Sequence, residues 1–163
     1  MELKKSVLDA LNKQVGIEYE ASIKYDSIAA YFTREDLPQL AKFFFKQSTE
    51  EREHAHKLVK FILDRDGEVR IPAIPAAPFA FGTPLKAVLA AQESEQKVSA
   101  SIHKLYELSL KESDHATAIM LQWFITEQVE EEATIKQMVK LVQRGKESGM
   151  ITVEDYLADS GGE

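Results

Sequence analysis

Six residues carry the chemistry of this chain: Glu18, Glu51, His54, Glu95, Gln128 and Glu131. Glu51 and His54 stand three apart, and so do Gln128 and Glu131, which puts each pair on one face of a helix. Glu18 precedes Glu51 by 33 residues, and Glu95 precedes Gln128 by the same 33. Two halves, offset by 77 residues, thus each supply a lone glutamate and then an i, i+3 pair. Carboxylates with one imidazole and no sulfur suit a hard or borderline cation: iron or manganese, with zinc as a competitor. A run of acids such as "EEREHAHKL", residues 50–58, is more often a solvated face, so its phase within a helix decides the matter.

The elements that must hold these residues are marked by their breakers. Gly and Pro are nearly absent from 3–66 apart from Gly16 and Pro38, gather in "GEVRIPAIPAAPFAFGTP" at 67–84, and return at Gly145 and Gly149. This pattern predicts five helices: α1 at about 4–33, α2 at about 37–66, α3 at about 84–112, α4 at about 115–145 and a short α5 at about 152–159. No stretch alternates as a strand would, and the terminal "GGE" reads as a frayed tail. Short links make α1–α2 and α3–α4 antiparallel hairpins. The link of about 17 residues between α2 and α3 reaches roughly 55 Å when extended, against roughly 42 Å for a helix of about 28 residues. It can run the length of the bundle and leave α2 and α3 parallel. The expectation is an all-α, one-domain four-helix bundle over 1–163, with one long crossover and a short fifth helix.

Stepping alternately by three and four traces one stripe along each helix. On α1 the stripe runs Leu11, Val15, Glu18, Ser22, Tyr25, Ala29, Phe32; on α2 it runs Leu40, Phe44, Gln47, Glu51, His54, Leu58, Phe61. The stripes of α3, through Val88, Glu95, Ser99 and Ile102, and of α4, through Phe124, Gln128, Glu131 and Ile135, have the same character. Each is apolar at both ends and polar in the middle. Four carboxylates therefore converge at one level of a core, with no Lys or Arg on the stripes. Burying an ionised carboxylate without a partner is strongly unfavourable, and a metal cation is the economical counter-charge.

Composition removes other classes. The net charge of −7, with no basic stretch, argues against nucleic acid. The absence of cysteine excludes disulfides and thiolate sites and fits a cytoplasmic setting. No secretory signal and no apolar run of the roughly 20 residues that a membrane span requires is visible.

The segments "QVGIEYEASIKY", "STEEREHAHKL" and "LQWFITEQVEEE" resemble the three ligand-bearing segments of bacterial non-haem ferritins, and the resemblance covers essentially the whole chain. Ferritin-like di-iron bundles use a Glu from each of two helices and Glu-x-x-His from each of the other two. Here the second half departs from that pattern, with Gln128 and Glu131 in those places. The resemblance implies a homo-24-mer cage storing ferric mineral, with an intrasubunit di-iron ferroxidase centre oxidising Fe(II) with O2 or H2O2. It assigns Glu18, Glu51 and His54 to the first iron, Glu51 as the bridge, Glu95 and Glu131 to the second with Gln128 beside it, and Tyr25 as a hydrogen-bonding neighbour. Glu50, Glu127, Glu130 and Glu131 resemble a third, transit iron site. Arg52 stands where the haem-binding relatives have a methionine, so no haem is expected. Ala118 and Leu121 stand where animal ferritins line a channel with acids. The competing expectation is a di-iron peroxidase or oxygenase with fixed metals. His56 reads as surface, His103 and His115 as surface or cap residues, and Trp123 as packing; Glu127, Glu130 and Glu132 read either as a solvated inner face or as a transit site handing iron to the mineral.

Overall fold

Residues 3–160 are described by a computed structural model of the chain; the tail at 161–163 lies outside the described residues. The helices are α1 Lys5–Arg34, α2 Pro38–Asp64, α3 Pro84–Lys111, α4 His115–Gly145 and α5 Met150–Ser160, and no strand occurs among the described residues.

The first three helices stop in the same way. Asp36, Asp66 and Ser113 take φ of 56°, 56° and 57°. The next amide in each case bonds back to the last turn: Leu37 N to Phe32 O at 3.0 Å, Gly67 N to Ile62 O at 2.9 Å, and Asp114 N to Ser109 O at 2.8 Å. A left-handed residue after the helix closes the final carbonyls in this manner, and short polar side chains tolerate that backbone better than most. At the other ends, Thr83 accepts from Lys86 N, and Asp114 accepts from Thr117 N at 3.1 Å. Helix α2 has no cap from its own chain segment. Glu154 of α5 supplies one, accepting from Gln39 N at 2.6 Å and Leu40 N at 3.0 Å, so the short helix is docked by capping a long one.

Asp114 also receives Arg65 Nη1 at 2.9 Å and the Thr117 hydroxyl at 2.9 Å while buried to 7 % exposure. It ties the end of α2 to the start of α4. Asp114→Ala removes a helix cap and a charged hydrogen-bond acceptor, and is expected to cost about 2–3 kcal/mol. Asp114→Asn, which keeps an acceptor, should lose less. Denaturant unfolding of both variants measures the difference.

The crossover lies along α1. Asn12 bonds Glu68 O at 3.0 Å and accepts from Arg70 N at 2.7 Å; further on, Ser27 donates to Pro78 O, and the Tyr31 ring meets Phe81 edge-on at 5.5 Å. From Asn12 to Tyr31 is roughly 28 Å of helix. Gly16 sits mid-helix because a Cβ there would overlap the Pro72 ring. The strap thus travels from one end of the bundle to the other in the direction of α1, which leaves α2 and α3 parallel.

The apolar core is divided in two. One cluster includes Ile28, Phe32, Leu40, Phe44, Val88 and Ile135; the other includes Leu11, Val15, Leu58, Ile62, Ile102, Leu121 and Phe124. Between them lies a polar layer of buried Glu18, Ser22, Gln47, Glu51, His54, Glu95, Ser99, Gln128 and Glu131. On α2 the stripe departs from expectation at its end: Phe61 is half-buried and Ile62 takes the core position. Strict alternation of three and four drifts about 20° per heptad against a 3.6-residue helix, and Phe61 is where the drift shows. Each fully buried Leu, Ile or Phe contributes roughly 1.5–3 kcal/mol. The two clusters therefore hold the helices in register from both sides of a layer that destabilises them.

Candidate metal centre

Each helix brings its part to the polar layer: α1 Glu18, α2 Glu51 and His54, α3 Glu95, α4 Gln128 and Glu131. Glu18, Glu51 and Glu95 have no exposed surface, and His54, Gln128 and Glu131 are exposed by 6 % or less. Three sets of side chains bring ligand atoms within 4.8 Å of one another: Glu18–Glu51–His54, Glu51–Glu95–Glu131 and His54–Glu127–Glu131. Glu51 belongs to the first two sets, so a cation in each would be bridged by one carboxylate. His54 and Glu131 connect the third set to the others.

The donor atoms fit cations better than they fit one another. Neither oxygen of Glu51 has a fixed N–H or O–H donor, and one oxygen of Glu18 has none; Gln14 Nε2 donates to the other Glu18 oxygen at 2.8 Å, and the two acids can bond to each other only when one of them is protonated. His54 Nδ1 stands 3.4 Å from Glu51 Oε2. Glu95 is held differently. The Tyr25 hydroxyl donates to one oxygen and Gln128 Nε2 to the other at 3.1 Å. Desolvated carboxylate oxygens without fixed donors suit a positive charge as their partner.

Burial is the largest cause raising all four carboxyl groups. It pushes Glu18 well up, with the Glu51 charge adding to it, and Glu51 well up, with Glu95 adding. Glu95 is raised by burial but restrained by the Tyr25 and Gln128 hydrogen bonds. Glu131 rises to about 7 through burial and the charges of Glu95 and Glu50. Burial also raises the Tyr25 phenol, so it stays a donor.

The sign of the linkage follows. A carboxyl group with a raised folded pKa contributes stability that is present below its ordinary value of 4.5 and is lost as pH rises through the folded value, about 7 for Glu131. The metal-free protein is expected to have a thermal midpoint several degrees lower at pH 8 than at pH 5.5, and Glu131→Gln to flatten that slope. Saturation with a divalent ion should reverse it, because cation binding displaces these protons. Calorimetry with and without Zn(II) checks both signs.

The surroundings sort the remaining candidates. Glu50 is half-buried and outside the three sets, though its charge acts on Glu51 and Glu131. Glu127 is half-buried and joins His54 and Glu131; Glu130 is exposed and outside all three sets. His56, His103 and His115 are exposed. Trp123 is 38 % exposed, meets His54 edge-on at 5.5 Å, and carries Lys57 Nζ 3.8 Å above its ring. Ala118 and Leu121 are buried at 4 % and 0 %, so they face the bundle rather than a channel. Gln14 escaped sequence reasoning because it lies off the stripe; its i, i+4 relation to Glu18 was the available signal. Glu132 is exposed, as a solvated face requires, and lies outside the three sets; Ser99 donates a hydrogen bond to it.

The family profile described as "Ferritin-like domain" matches residues 8–145. The chain is 40% identical over 148 residues to "Ferritin BfrB" of Mycolicibacterium smegmatis, covering 91% of this chain and 81% of that protein. It is 35% identical over 142 residues to "Bacterial non-heme ferritin" of Staphylococcus aureus, covering 87% and 86%. Among solved structures, a novel open pore ferritin from the hyperthermophilic archaeon Archaeoglobus fulgidus superposes with a TM-score of 0.92 at 32% identity, over 96% of this chain and 98% of that one.

Proposed function

The chain belongs to the ferritin family, and from that premise we propose that its polar layer is a ferroxidase centre with Fe(II) as substrate, and that the oxidised iron is stored as mineral inside a cytoplasmic homo-24-mer. The observation that carries this reading is Glu51: one fully buried carboxylate, with no fixed hydrogen-bond donor on either oxygen, shared by two three-residue ligand sets.

Glu18, the Glu51 bridge and His54 bind one Fe(II), and Glu51, Glu95 and Glu131 bind the other. Carboxyl groups that are protonated when metal-free release their protons as iron enters. Two adjacent Fe(II) ions give one electron each to a single O2, which with two protons leaves as H2O2, so that no one-electron oxygen radical need escape. Gln128 is a neutral neighbour and Tyr25 holds Glu95 in place. The third set, His54, Glu127 and Glu131, offers Fe(III) a next stop, with the exposed Glu130 beyond it. No helix among the described residues is long and apolar enough to cross a membrane.

The test is an O2 pulse onto metal-free protein loaded anaerobically with two Fe(II) per chain. One O2 consumed per two Fe(II), iron that afterwards leaves the centre so that a second dose is oxidised equally fast, and a particle about twenty-four times the 18.4 kDa chain support the reading. Iron that stays put and blocks the second dose would favour a fixed-metal peroxidase or oxygenase. With Arg52 exposed on α2, the purified protein is also expected to show no Soret band that scales with protein after desalting.

A further inference from the structure

Glu132 belongs to none of the ligand sets, and its side chain accepts a hydrogen bond from Ser99 on α3. Ser99 in turn lies 3.1 Å from the Gln128 amide, and that amide lies 3.1 Å from Glu95 Oε2 and 3.4 Å from the Glu95 backbone oxygen. Four side chains from α3 and α4 thus form one line, from an exposed acid to a fully buried ligand. Glu132 stands where solvent reaches it, in a groove of about 370 Å³ between α3 and α4 that Glu95, Gln92, Gln96 and Lys136 also line.

The line has a direction, and hydrogen-bond accounting gives it. A carboxylate can only accept, so the single hydroxyl proton of Ser99 is committed to Glu132. Ser99 can then only accept from Gln128, which requires the amide nitrogen, not its carbonyl, on the Ser99 side. That nitrogen also satisfies Glu95 Oε2, while the Tyr25 hydroxyl satisfies the other Glu95 oxygen. Without Glu132 the Ser99 proton is released. It can then be donated to a Gln128 carbonyl oxygen, or to Glu95. The amide is then free to flip, and a flipped amide would set its carbonyl oxygen against the Glu95 carboxylate.

We propose that Glu132 is a positioning residue for the second metal site: acting through Ser99, it fixes the Gln128 amide so that Glu95 is presented as an oriented ligand. This rests on the ferroxidase reading above. It separates two adjacent acids by task, with Glu131 facing the metals and Glu132 holding the ligand cage from behind.

The experiment is anaerobic titration of the assembled, metal-free protein with Fe(II), with occupancies at each position read by anomalous diffraction. Four proteins are compared: wild type, Glu132→Ala, Ser99→Ala and Glu132→Gln. Glu132→Ala and Ser99→Ala are expected to lower the apparent affinity at Glu51–Glu95–Glu131 about five- to tenfold, as loss of a charge-assisted hydrogen bond does, with Glu18–Glu51–His54 unchanged. Glu132→Gln still offers an acceptor to Ser99 and should restore most of the loss. Second-site affinity equal to wild type in both alanine variants overturns the proposal. So does an equal loss at both sites, which marks a general structural effect. If wild type itself binds no metal at the second set, the ferroxidase reading fails first, and this inference with it.

Discussion

Glu51→Ala is expected to slow Fe(II) oxidation at least about tenfold, roughly 1.4 kcal/mol or more on the barrier, and His54→Ala to approach it. Glu51 is the residue common to both ligand sets. On the proposed assignment, removing it takes a ligand from each iron and also the link that would hold the two at electron-sharing distance. His54 supplies the nitrogen donor of the first set and is shared with the third. Stability should respond differently in the two variants. Taking an unpartnered acid out of the core relieves a burial penalty, offset by the cavity left behind. His54→Ala loses ring contacts with Trp123 and Phe124 instead. Stopped-flow oxidation on variants confirmed to be assembled separates chemistry from folding. Wild-type rates in both would remove Glu51 and His54 from the reaction.

Much of this was legible because the polar layer breaks a rule the rest of the sequence obeys. Stripes that are apolar at Leu11 and Val15 and again at Ala29 and Phe32 leave no surface for Glu18 to face. The repeated spacing of 33 residues then told which helices meet at that level. The strap was legible from its length, and Gly16, an apparent flaw in α1, proved to be where Pro72 passes. What stayed hidden depends on side-chain direction across helices. Glu131 and Glu132 are neighbours with the same chemistry, and spacing puts both near the α4 stripe. Only the packing of α3 against α4 shows one turned to Glu51 and Glu95 and the other to Ser99. Likewise the helix ends carry no glycine at Asp36, Asp66 or Ser113, so their left-handed turns gave no signal and the bounds shifted by one or two residues. The cap that Glu154 provides to α2 spans more than a hundred residues and has no local signature.

Gln128→Glu is expected to tighten the second iron and to slow its release, turning a transit position toward a resident one. The two sites are unequal in this chain. Glu51 serves both sets, so the difference lies in the other acids: Glu18 of the first set keeps one oxygen without a fixed donor, and a cation there displaces no N–H or O–H bond from it. Both oxygens of Glu95 in the second set are engaged by Tyr25 and Gln128 donors, which spreads its charge and weakens its pull on a cation. Glu131 is divided between the second and third sets. Replacing the Gln128 amide with a carboxylate removes a donor from Glu95 and places a second acid beside it. Without metal, that like-charge contact raises both carboxyl pKa values and leaves the extra acid protonated at neutral pH. With Fe(II) present, the proton leaves and the site gains a full negative charge. Second-site affinity should therefore rise about tenfold or more, more steeply with pH than in wild type, while the first site hardly changes. The first Fe(II) dose should still be oxidised, and a second dose should be slowed because the centre no longer clears. Equal occupancy of the two sites at every sub-stoichiometric dose in the wild type, or unchanged clearance in Gln128→Glu, would show that the asymmetry does not set the direction of iron flow.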